Sequence, residues 1–511
     1  MWRFLVLVLI VFPWLNPFAP GPSPKVVPWL FTLSCFTAFI CIVILNQSKL
    51  GSTNKRNPNL AHAHLQPIVL AWLVAGLLSA VIGLMQYFGS ASTLSPWVNQ
   101  SSLGEAFANL RQRNQFATLT NMALTALLWV AVQVMQPQAA SAHLRFCLLL
   151  TAAVLLAVGN ATSSSRTGLF QLLLLCGLFA MWGGLRSVTV RSLLVCAVLT
   201  YVLASIAMPY LLGFDLLSHG AFARLGKDEG CSSRFTLWSN VLHLISQKPL
   251  LGWGWGELDY AHFITLYSEP RFCDILDNAH NLPLHLAVEL GVPAAVLICG
   301  GFAWWVVRQK PWAERDTTRQ MAWAVMAVIL LHSMLEYPLW YGPFQMAFGL
   351  CILMLWHRKQ PMKTQTSPNN VSNWRLAHIL RAQTVLSLIA FIAYAAWDYH
   401  RISQIYLEPE SRSMAYRTDT LNKIRSSWLF ADQVQFAELL ITPLTTANAE
   451  WTLSSAKQLL HYSPEPRVVE KLIESAVLLG EDDDALAYLA RYKAAFPKEH
   501  ALWAEHNPSP L

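Results

Sequence analysis

Long apolar runs separated by short polar stretches fill roughly the first 400 residues of the chain. About eleven runs approach the roughly 17–25 residues that a helix needs to cross a bilayer. They cover residues 2–19, 26–45, 66–88, 114–135, 144–160, 166–184, 190–212, 281–307, 320–336, 342–356 and 376–397. The pattern predicts an all-α polytopic membrane protein of about eleven transmembrane helices, with a membrane domain at residues 1–397. A polar loop at 213–280 interrupts this domain, and a polar tail follows at 398–511.

Positive charges between the runs predict the orientation of the chain. They concentrate in alternate loops, at Lys49, Lys55, Arg56, Arg145, Arg186, Arg191, Arg308, Lys310, Arg315, Arg319, Arg358, Lys359, Lys363 and Arg375. By the positive-inside rule these loops and the amino terminus face the cytoplasm, so the 213–280 loop and the tail face outward. The first run has no clear small-residue cleavage site, and we interpret it as a retained span rather than a signal peptide.

Composition supports the membrane assignment and narrows the classes of partner. Hydrophobic residues make up 54% of the chain and charged residues 13%, against about 25% charged in soluble proteins. The formal net charge is +7, but no basic arm of the kind that binds nucleic acid is present in the sequence. We therefore expect membrane lipids, and no nucleic acid, among the partners.

Three arginines on the outward side have polar neighbours and need a reason to be there. Arg113 lies in R-Q-R-N-Q-F-A, Arg166 in T-S-S-S-R-T-G and Arg234 in C-S-S-R-F-T-L-W. A guanidinium matches phosphate oxygens bidentately and keeps its charge, so these arginines predict an anion site. For any single arginine, contact with outer lipid headgroups is the alternative.

The stretch C-D-I-L-D-N-A-H-N-L-P-L-H-L-A-V-E-L-G joins the outward loop to the eighth apolar run. We expect His280 and Asn281 at the mouth of a membrane helix, with His280 as a general base that Asp274 or Asp277 orients. The alternative is that His280 and Asn281 merely cap the helix. His280 and His285 would point about 140° apart on a helix, so we expect neither a metal nor another cofactor.

Two of the nine cysteines, Cys231 and Cys273, lie in the outward loop, and the other seven lie in or beside apolar runs. An oxidising compartment permits a disulfide, so we predict a Cys231–Cys273 bridge. Two unpaired thiols are the alternative.

The tail has the periodicity of amphipathic helices at Val468–Leu479 and Ala485–Phe496. The acidic run Glu481–Asp484 favours a helix start, where carboxylates stabilise the helix dipole, over a metal site. The second helix resembles that of a tetratricopeptide repeat, and the tail has room for about two such pairs. We expect a TPR-like helical domain that packs on the membrane domain.

An aromatic segment, H-S-M-L-E-Y-P-L-W-Y-G, occupies residues 332–342. Its rings fit the aromatic belt of a membrane interface, which is the simplest interpretation for Trp340. Rings also stack on sugars, and tyrosine hydroxyls bind them. We favour a role in the reaction for Tyr337, beside Glu336, and a substrate contact for Tyr341.

Several short motifs occur in a fixed order along residues 80–400. They are G-L-M-Q-Y-F-G at 83–89, R-N-Q-F-A at 113–117, S-R-T-G at 165–168, S-R-F-T-L-W at 233–238, G-W-G-W-G at 252–256, A-H-N-L-P-L at 279–284, E-L-G at 289–291 and H-S-M-L-E-Y-P-L-W-Y at 332–341. With these motifs the chain resembles the O-antigen ligase and polymerase superfamily. It is most similar to the PglL-type bacterial O-linked protein oligosaccharyltransferases.

The resemblance implies a glycosyltransferase of the bacterial inner membrane, with its active site facing the periplasm. Such enzymes transfer a preassembled glycan from undecaprenyl diphosphate to Ser or Thr hydroxyls of proteins such as pilin. It implies that Arg166, Arg234 and His280 carry diphosphate binding and catalysis, with Gln115 and Tyr337 as supporting residues.

Two other functions remain open at this point. An O-antigen ligase or polymerase would transfer the glycan to another glycan instead of a protein. A lipid-linked glycan flippase would carry out no transfer, and is expected to have internal repeats and a charged cavity through the membrane. Neither feature is clear in the sequence.

Overall fold

The computed structural model describes residues 1–50, 59–134, 142–214, 230–357 and 371–506. Within these residues all regular structure is helical. The helices that precede the outward loop are α1 (Trp2–Leu15), α2 (Val26–Leu50), α3 (Asn59–Tyr87), α4 (Arg113–Val134), α5 (Ala142–Thr162), α6 (Arg166–Met181) and α7 (Val188–Leu211). Those of the loop and the following runs are α8 (Arg234–Gln247), α9 (Leu258–Ile264), α10 (Leu282–Leu290), α11 (Val292–Gln309), α12 (Thr317–Ser333), α13 (Gly342–His357) and α14 (Val371–Ser403). The tail contains α15 (Thr420–Ile424), α16 (Ala431–Ile441), α17 (Ala449–Leu459), α18 (Pro466–Leu479), α19 (Asp482–Ala495) and α20 (Pro497–His506).

Seven helices in the described ranges are long and apolar enough to cross a bilayer. These candidate spans are Val26–Leu45, Gln66–Tyr87, Arg113–Val134, Ala142–Thr162, Val188–Leu211, Val292–Ala313 and Ile379–Tyr406. The apolar helices α1, α6 and α13 are shorter. The chain is thus a multi-pass membrane protein, and the count of about eleven spans stays a prediction. Of the basic loop residues used for orientation, Lys55, Arg56, Arg358, Lys359 and Lys363 lie outside the described residues.

The described chain divides into two compact units. The first comprises residues 1–19, 24–227 and 306–394, and the second comprises residues 20–23, 228–305 and 395–511. The central helix of the first unit is α4, which packs against α3, α5, α6, α7 and α12. Close packing is possible because facing positions are small: a Cβ on Gly76 would overlap the Cβ of Ala123. Buried polar side chains on α4, such as Thr118 and Asn121, are therefore held within a helix bundle.

One sequence prediction is wrong: the apolar run at 281–307 is not a single membrane helix. It breaks at Gly291, whose φ of 87° is outside the helical range. A Cβ on Gly291 would overlap the carbonyl of Leu250, and the next amide, that of Val292, donates to Pro249 O at 2.8 Å. The short helix α10 therefore ends against the loop, and the candidate span begins at Val292. His280 lies before α10 and not at the mouth of a membrane helix.

The G-W-G-W-G segment explains why the chain breaks there. The amides of Trp253 and Gly254 both donate to the last turn of α10, to Val288 O and Glu289 O at 2.9 Å each. Gly252 has a φ of 70°, and a Cβ there would overlap the Glu289 carbonyl. Glycine is required because the two backbones approach without room for a side chain.

The outward loop of the second unit has its own apolar core, shared by α8, α9 and α10. It contains Leu237, Val241, Leu244, Leu258, Ala261, Phe272, Leu276, Ala279 and Val288. The predicted Cys231–Cys273 disulfide is confirmed, with a Cα–Cα distance of 5.3 Å. It connects the residues before α8 to the segment that leads to His280.

The predicted tail helices are also confirmed, as α18 and α19. Gly480 ends α18 in the left-handed conformation, and Asp482, Asp483 and Asp484 lie in the first turn of α19, as expected for a helix start. The likeness to tetratricopeptide repeats stays a prediction. Packing of the tail within the second unit involves the outward loop: Phe263 of α9 belongs to the same buried cluster as Leu472 of α18 and Tyr492 of α19.

Polar contacts add to this junction between loop and tail. His461 Nδ1 lies 2.6 Å from Glu257 Oε2, and the imidazole stacks on Tyr260 with ring centroids 3.7 Å apart. Arg491 Nε donates to Ile264 O at 2.8 Å. Because α9 contributes to both apolar cores, the tail supports the part of the loop that packs on α8.

We expect loss of the disulfide to destabilise the second unit. The bridge spans 42 residues, and constraining an unfolded loop of that size is worth on the order of 3–4 kcal/mol. Cys231→Ser should therefore lower the temperature at which the protein unfolds in detergent. The matched control is Cys147→Ser, which removes an exposed free thiol and should leave the unfolding temperature unchanged. Peptide mapping without reduction that recovers Cys231 and Cys273 as free thiols would contradict the bridge.

We also predict that the stability of the loop–tail junction falls as pH rises. Burial, followed by the nearby charges of Asp277 and Glu257, raises the pKa of Asp259 from 3.8 to about 7, although the Tyr260 amide opposes the shift. The folded state therefore favours protonated Asp259, and stability is lost between about pH 4 and pH 7 as the carboxyl ionises. Asp259→Asn should raise the unfolding temperature at pH 8 but not at pH 4. An equal effect at both values would contradict this assignment.

Candidate active site

Three of the predicted arginines share one local structure: each is the first residue of a helix. Arg113 begins α4, Arg166 begins α6 and Arg234 begins α8. The first amides of a helix lack partners within the helix and carry the positive end of its dipole. A guanidinium beside such amides makes a site suited to a phosphate group.

Arg166 follows a tight turn of three serines. Ser164 has a left-handed φ of 51°, and the Ser163 hydroxyl donates to Asn160 O at 2.5 Å. Ser165 caps α6, because its Oγ accepts the Gly168 amide at 3.0 Å. The same hydroxyl donates to Asn114 Oδ1 at 2.6 Å. The T-S-S-S-R-T-G motif is thus tied to R-N-Q-F-A at the start of α4.

Arg113 and Gln115, on either side of Asn114, have different surroundings. Arg113 forms an ion pair with Glu105, a partner that the sequence analysis missed. Gln115 is buried in α4, and its Nε2 has no hydrogen-bond partner in the described part of the chain. Their contacts with a substrate remain predictions.

The loop before α4 is held by Gln86, from the G-L-M-Q-Y-F-G motif. Its amide nitrogen donates to Asn99 O at 2.8 Å and to Ala108 O at 2.9 Å. Its oxygen accepts the amides of Phe107 and Ala108 at 3.0 and 2.7 Å. Gln86 is fully buried, and it fixes the segment that leads to Arg113. Sequence reasoning included the motif but assigned this glutamine no role.

The aromatic segment joins the same region of the first unit through Glu336. Asn114 Nδ2 donates to Glu336 Oε1 at 3.4 Å. After Glu336, Tyr337 and Tyr341 lie on either side of a short 3-10 turn. Their rings are nearly parallel, with centroids 5.9 Å apart, and the Lys25 ammonium lies 5.3 Å from the Tyr337 centroid. Parallel rings beside a cation suit the face of a sugar attached to an anionic carrier.

His332, one helical turn before Glu336, belongs to the packing of the bundle. It is fully buried, and its Nδ1 lies 2.8 Å from Thr118 Oγ1. That hydroxyl donates to Asn114 O at 2.7 Å and accepts from Gln171 Nε2 at 2.8 Å. A hydroxyl has one proton to give, so His332 donates from Nδ1. His332 thus supports the end of α12, which precedes Glu336.

In the second unit, His280 has an unusual backbone conformation. Its φ is 51°, in the left-handed region, where residues other than glycine are uncommon and often functional. The His280 amide donates to Asn278 Oδ1 at 2.9 Å. Asn281 caps α10 by accepting the Leu284 amide at 3.1 Å. The capping interpretation therefore holds for Asn281 but not for His280.

The residue before His280 is held from both sides. Ala279 O accepts from Trp238 Nε1 at 3.1 Å, and the Ala279 amide donates to His285 Nδ1 at 3.5 Å. His285 Nε2 in turn lies 3.4 Å from Glu289 Oε2. Burial raises the pKa of Glu289 to about 7, with the Gly256 amide lowering it and the Glu257 charge raising it.

The apolar run at 281–307 would place His285 and Glu289 within a membrane helix. The structure places them in α10, before the candidate span. They form a buried pair that supports the turn of His280. Their spacing of four residues within an apolar run was the signal that could have revealed the pair.

Arg234 and the disulfide lie at the start of α8 in the same unit. Ser233 caps α8 by accepting the Thr236 amide at 3.1 Å, and Cys231 lies two residues before the cap. Trp238, which holds Ala279, is on the same helix as Arg234. Thus α8 begins with Arg234, and Trp238, one helical turn further along α8, holds the turn of His280 through Ala279.

Comparisons with known proteins match successive parts of the chain. The family described as O-Antigen ligase matches residues 151–299. The family "Virulence factor membrane-bound polymerase, C-terminal" matches residues 320–509, and "Protein glycosylation ligase" matches residues 106–130. These ranges contain the starts of α4, α6 and α8, the His280 turn and the aromatic segment.

Two curated relatives come from Acinetobacter baylyi. One is named ComP-specific O-oligosaccharyltransferase and is 23% identical over 309 residues, which is 59% of this chain and 53% of the relative. The other is named General O-oligosaccharyltransferase and is 26% identical over 151 residues, 29% of this chain and 26% of the relative. The matches thus span about half of the first relative's length and a quarter of the second's. Together with the family matches, they show that the chain is similar to the O-antigen ligase superfamily and to its PglL-type protein glycosylation ligases.

Proposed function

We propose that this protein transfers a preassembled glycan en bloc from undecaprenyl diphosphate to Ser or Thr hydroxyls of periplasmic proteins such as pilin. It would do so in the bacterial inner membrane, with its active site facing the periplasm. The observation that carries the proposal is the recurrence of an arginine at a capped helix start, for Arg166 and Arg234, together with a histidine held in a left-handed turn. A family match described as Protein glycosylation ligase favours a protein acceptor.

The proposed reaction divides between a base and two cations. The acceptor hydroxyl oxygen attacks the anomeric carbon of the first sugar while its proton passes to His280. The bond between that carbon and the diphosphate oxygen breaks, and undecaprenyl diphosphate leaves with the electron pair. Arg166 and Arg234, each beside helix amides, stabilise the departing anion. The imidazolium then releases its proton to solvent, so no metal or other cofactor is needed.

The remaining predicted residues have supporting roles in this proposal. Tyr337 and Tyr341 present parallel rings with a lysine beside them, which suits a sugar next to the diphosphate, with Tyr337 closest to the reaction. Arg113 and Gln115 extend the anion site at the start of α4. Asn281 holds the start of α10 through its oxygen, and its amide group would contact the substrate.

A second candidate is an O-antigen ligase or polymerase, favoured by two family matches that have those names. The chemistry at the donor is the same, and the acceptor is a glycan. The residues proposed to bind the lipid-linked donor would therefore act in the same way in either function.

The acceptor distinguishes the candidates in one experiment. The full chain is expressed in a bacterial host that supplies a lipid-linked glycan, lipid A–core and a candidate pilin. We expect glycan on the pilin, detected by a mass shift of the intact protein. Glycan on lipid A–core alone would support the ligase. Glycan on neither acceptor, with glycan-linked lipid moved across the membrane, would support a flippase and refute transfer.

The base assignment predicts that His280→Asn lowers turnover by about 10²–10⁴-fold, the usual contribution of a general base. Asparagine tolerates the left-handed backbone of this position, so the turn should keep its shape. Expression, unfolding temperature and lipid binding should stay near those of the wild type. The matched control, His506→Asn, changes an exposed histidine at the end of α20 and should be fully active. A fully active His280→Asn protein would falsify the role of His280 as the base.

A further inference from the structure

Glu336 is a buried carboxylate at a junction of helices. It is 6% exposed, and its amide donates to His332 O at 2.8 Å, closing the end of α12. Two side-chain amides from the start of α4 donate to its carboxylate. Gln112 Nε2 lies 3.3 Å from Oε2, and Asn114 Nδ2 lies 3.4 Å from Oε1. A buried carboxylate is costly unless hydrogen bonds satisfy it, so these amides are matched to it.

Asn114 transmits this contact to α6. The Asn114 side-chain nitrogen faces Glu336, so the side-chain oxygen faces the other way and accepts the Ser165 hydroxyl at 2.6 Å. Ser165 Oγ then accepts the Gly168 amide at 3.0 Å. These three hydrogen bonds form a continuous series in which each group donates to the next. The series runs from the Gly168 amide through Ser165 and Asn114 to the Glu336 carboxylate. It joins the end of α12 to the first turns of α4 and α6.

The chain of hydrogen bonds ends beside Arg166. The cap by Ser165 sets the direction in which α6 begins, and Arg166 is its first residue. The turn before the cap contains Ser164 in the left-handed region, a conformation that costs a serine energy and persists when neighbouring contacts hold it. The contact between Ser165 and Asn114 is such a contact.

We propose that Glu336 is a positioning residue for the diphosphate of the lipid-linked donor. Through Asn114 and Ser165 it fixes the start of α6, so that the guanidinium of Arg166 is oriented before the donor binds. The inference rests on the proposed function for the identity of the ligand. It adds a role for Glu336 and Asn114 that acts through Arg166 rather than by direct contact with the reacting atoms.

The amide at position 114 and the carboxylate at position 336 can be exchanged by combining Asn114→Asp with Glu336→Gln. This exchange tests whether the hydrogen bond between the two positions matters for donor binding. In Glu336→Gln the new amide group meets a second donor, either Gln112 or Asn114. In Asn114→Asp two carboxylates face each other. In the double variant, the amide at position 336 donates to the carboxylate at position 114 and still accepts from Gln112. The carboxylate at position 114 also accepts the Ser165 hydroxyl, so the hydrogen bonds among positions 112, 114, 165 and 336 are restored.

The measurement is the affinity of the full-length protein in lipid nanodiscs for undecaprenyl diphosphate. We expect each single variant to bind about tenfold more weakly, within the usual coupling of neighbouring groups, and the double variant to bind within about threefold of the wild type. In the Arg166→Ala background, Glu336→Gln should cause no further loss, because its effect passes through Arg166. Unfolding temperatures measured in parallel show which variants fold, and affinities are compared among the folded proteins.

A second pair of variants tests the link if a single variant at 114 or 336 does not fold. Ser165→Thr keeps the hydroxyl and should bind like the wild type, whereas Ser165→Ala removes it and should bind more weakly. Folded single variants that bind like the wild type would overturn the inference and leave the proposed function standing. So would a folded double variant as weak as the weaker single variant. A wild-type protein that binds no undecaprenyl diphosphate would refute the proposed function, and the inference with it.

Discussion

The amides at the start of a helix need partners, and this requirement organises the candidate site. In an apolar environment an unsatisfied backbone group is costly, and water is not available to every helix end. In the described part of the chain, the side chains that accept such amides at helix starts include Ser165, Ser187, Ser233, Asn281 and Asp316. Three of these caps adjoin residues assigned to the reaction: Arg166, Arg234 and His280. In each of the three helices the cap accepts the third amide, so the residues assigned to the reaction lie at helix starts that the fold itself holds in place.

The sequence predicted local features well because their causes are local. Apolar runs of sufficient length become helices, and an acidic run followed by helical periodicity becomes the start of α19. Cys231 and Cys273 could be paired because they were the only cysteines in the outward loop. The arginines and His280 could be singled out from their polar neighbours, and the predicted run at 166–184 already began at Arg166. The structure added that Arg113 and Arg234 are also the first residues of helices.

The failures of sequence reasoning have a common physical origin in contacts between distant residues. Hydropathy cannot distinguish a membrane helix from a short helix buried in a loop, so α10 was joined to α11. The break depends on carbonyls about forty residues earlier, at Pro249 and Leu250. Glu336 and Asn114 are 222 positions apart, and Gln86 acts on a loop some twenty residues later. No periodicity connects such residues, and their pairing emerges only when helices assemble.

The break at Gly291 also bears on how the enzyme relates to its lipid surroundings. A transmembrane helix tilts when its apolar length and the thickness of the bilayer differ. If α10 and α11 were continuous, that tilt would rotate the turn of His280. Instead α10 is hydrogen-bonded to Trp253 and Gly254, and the helical ladder is interrupted at a glycine. We therefore expect changes in bilayer thickness to be absorbed at this joint, so that the histidine keeps its orientation in membranes of different lipid composition.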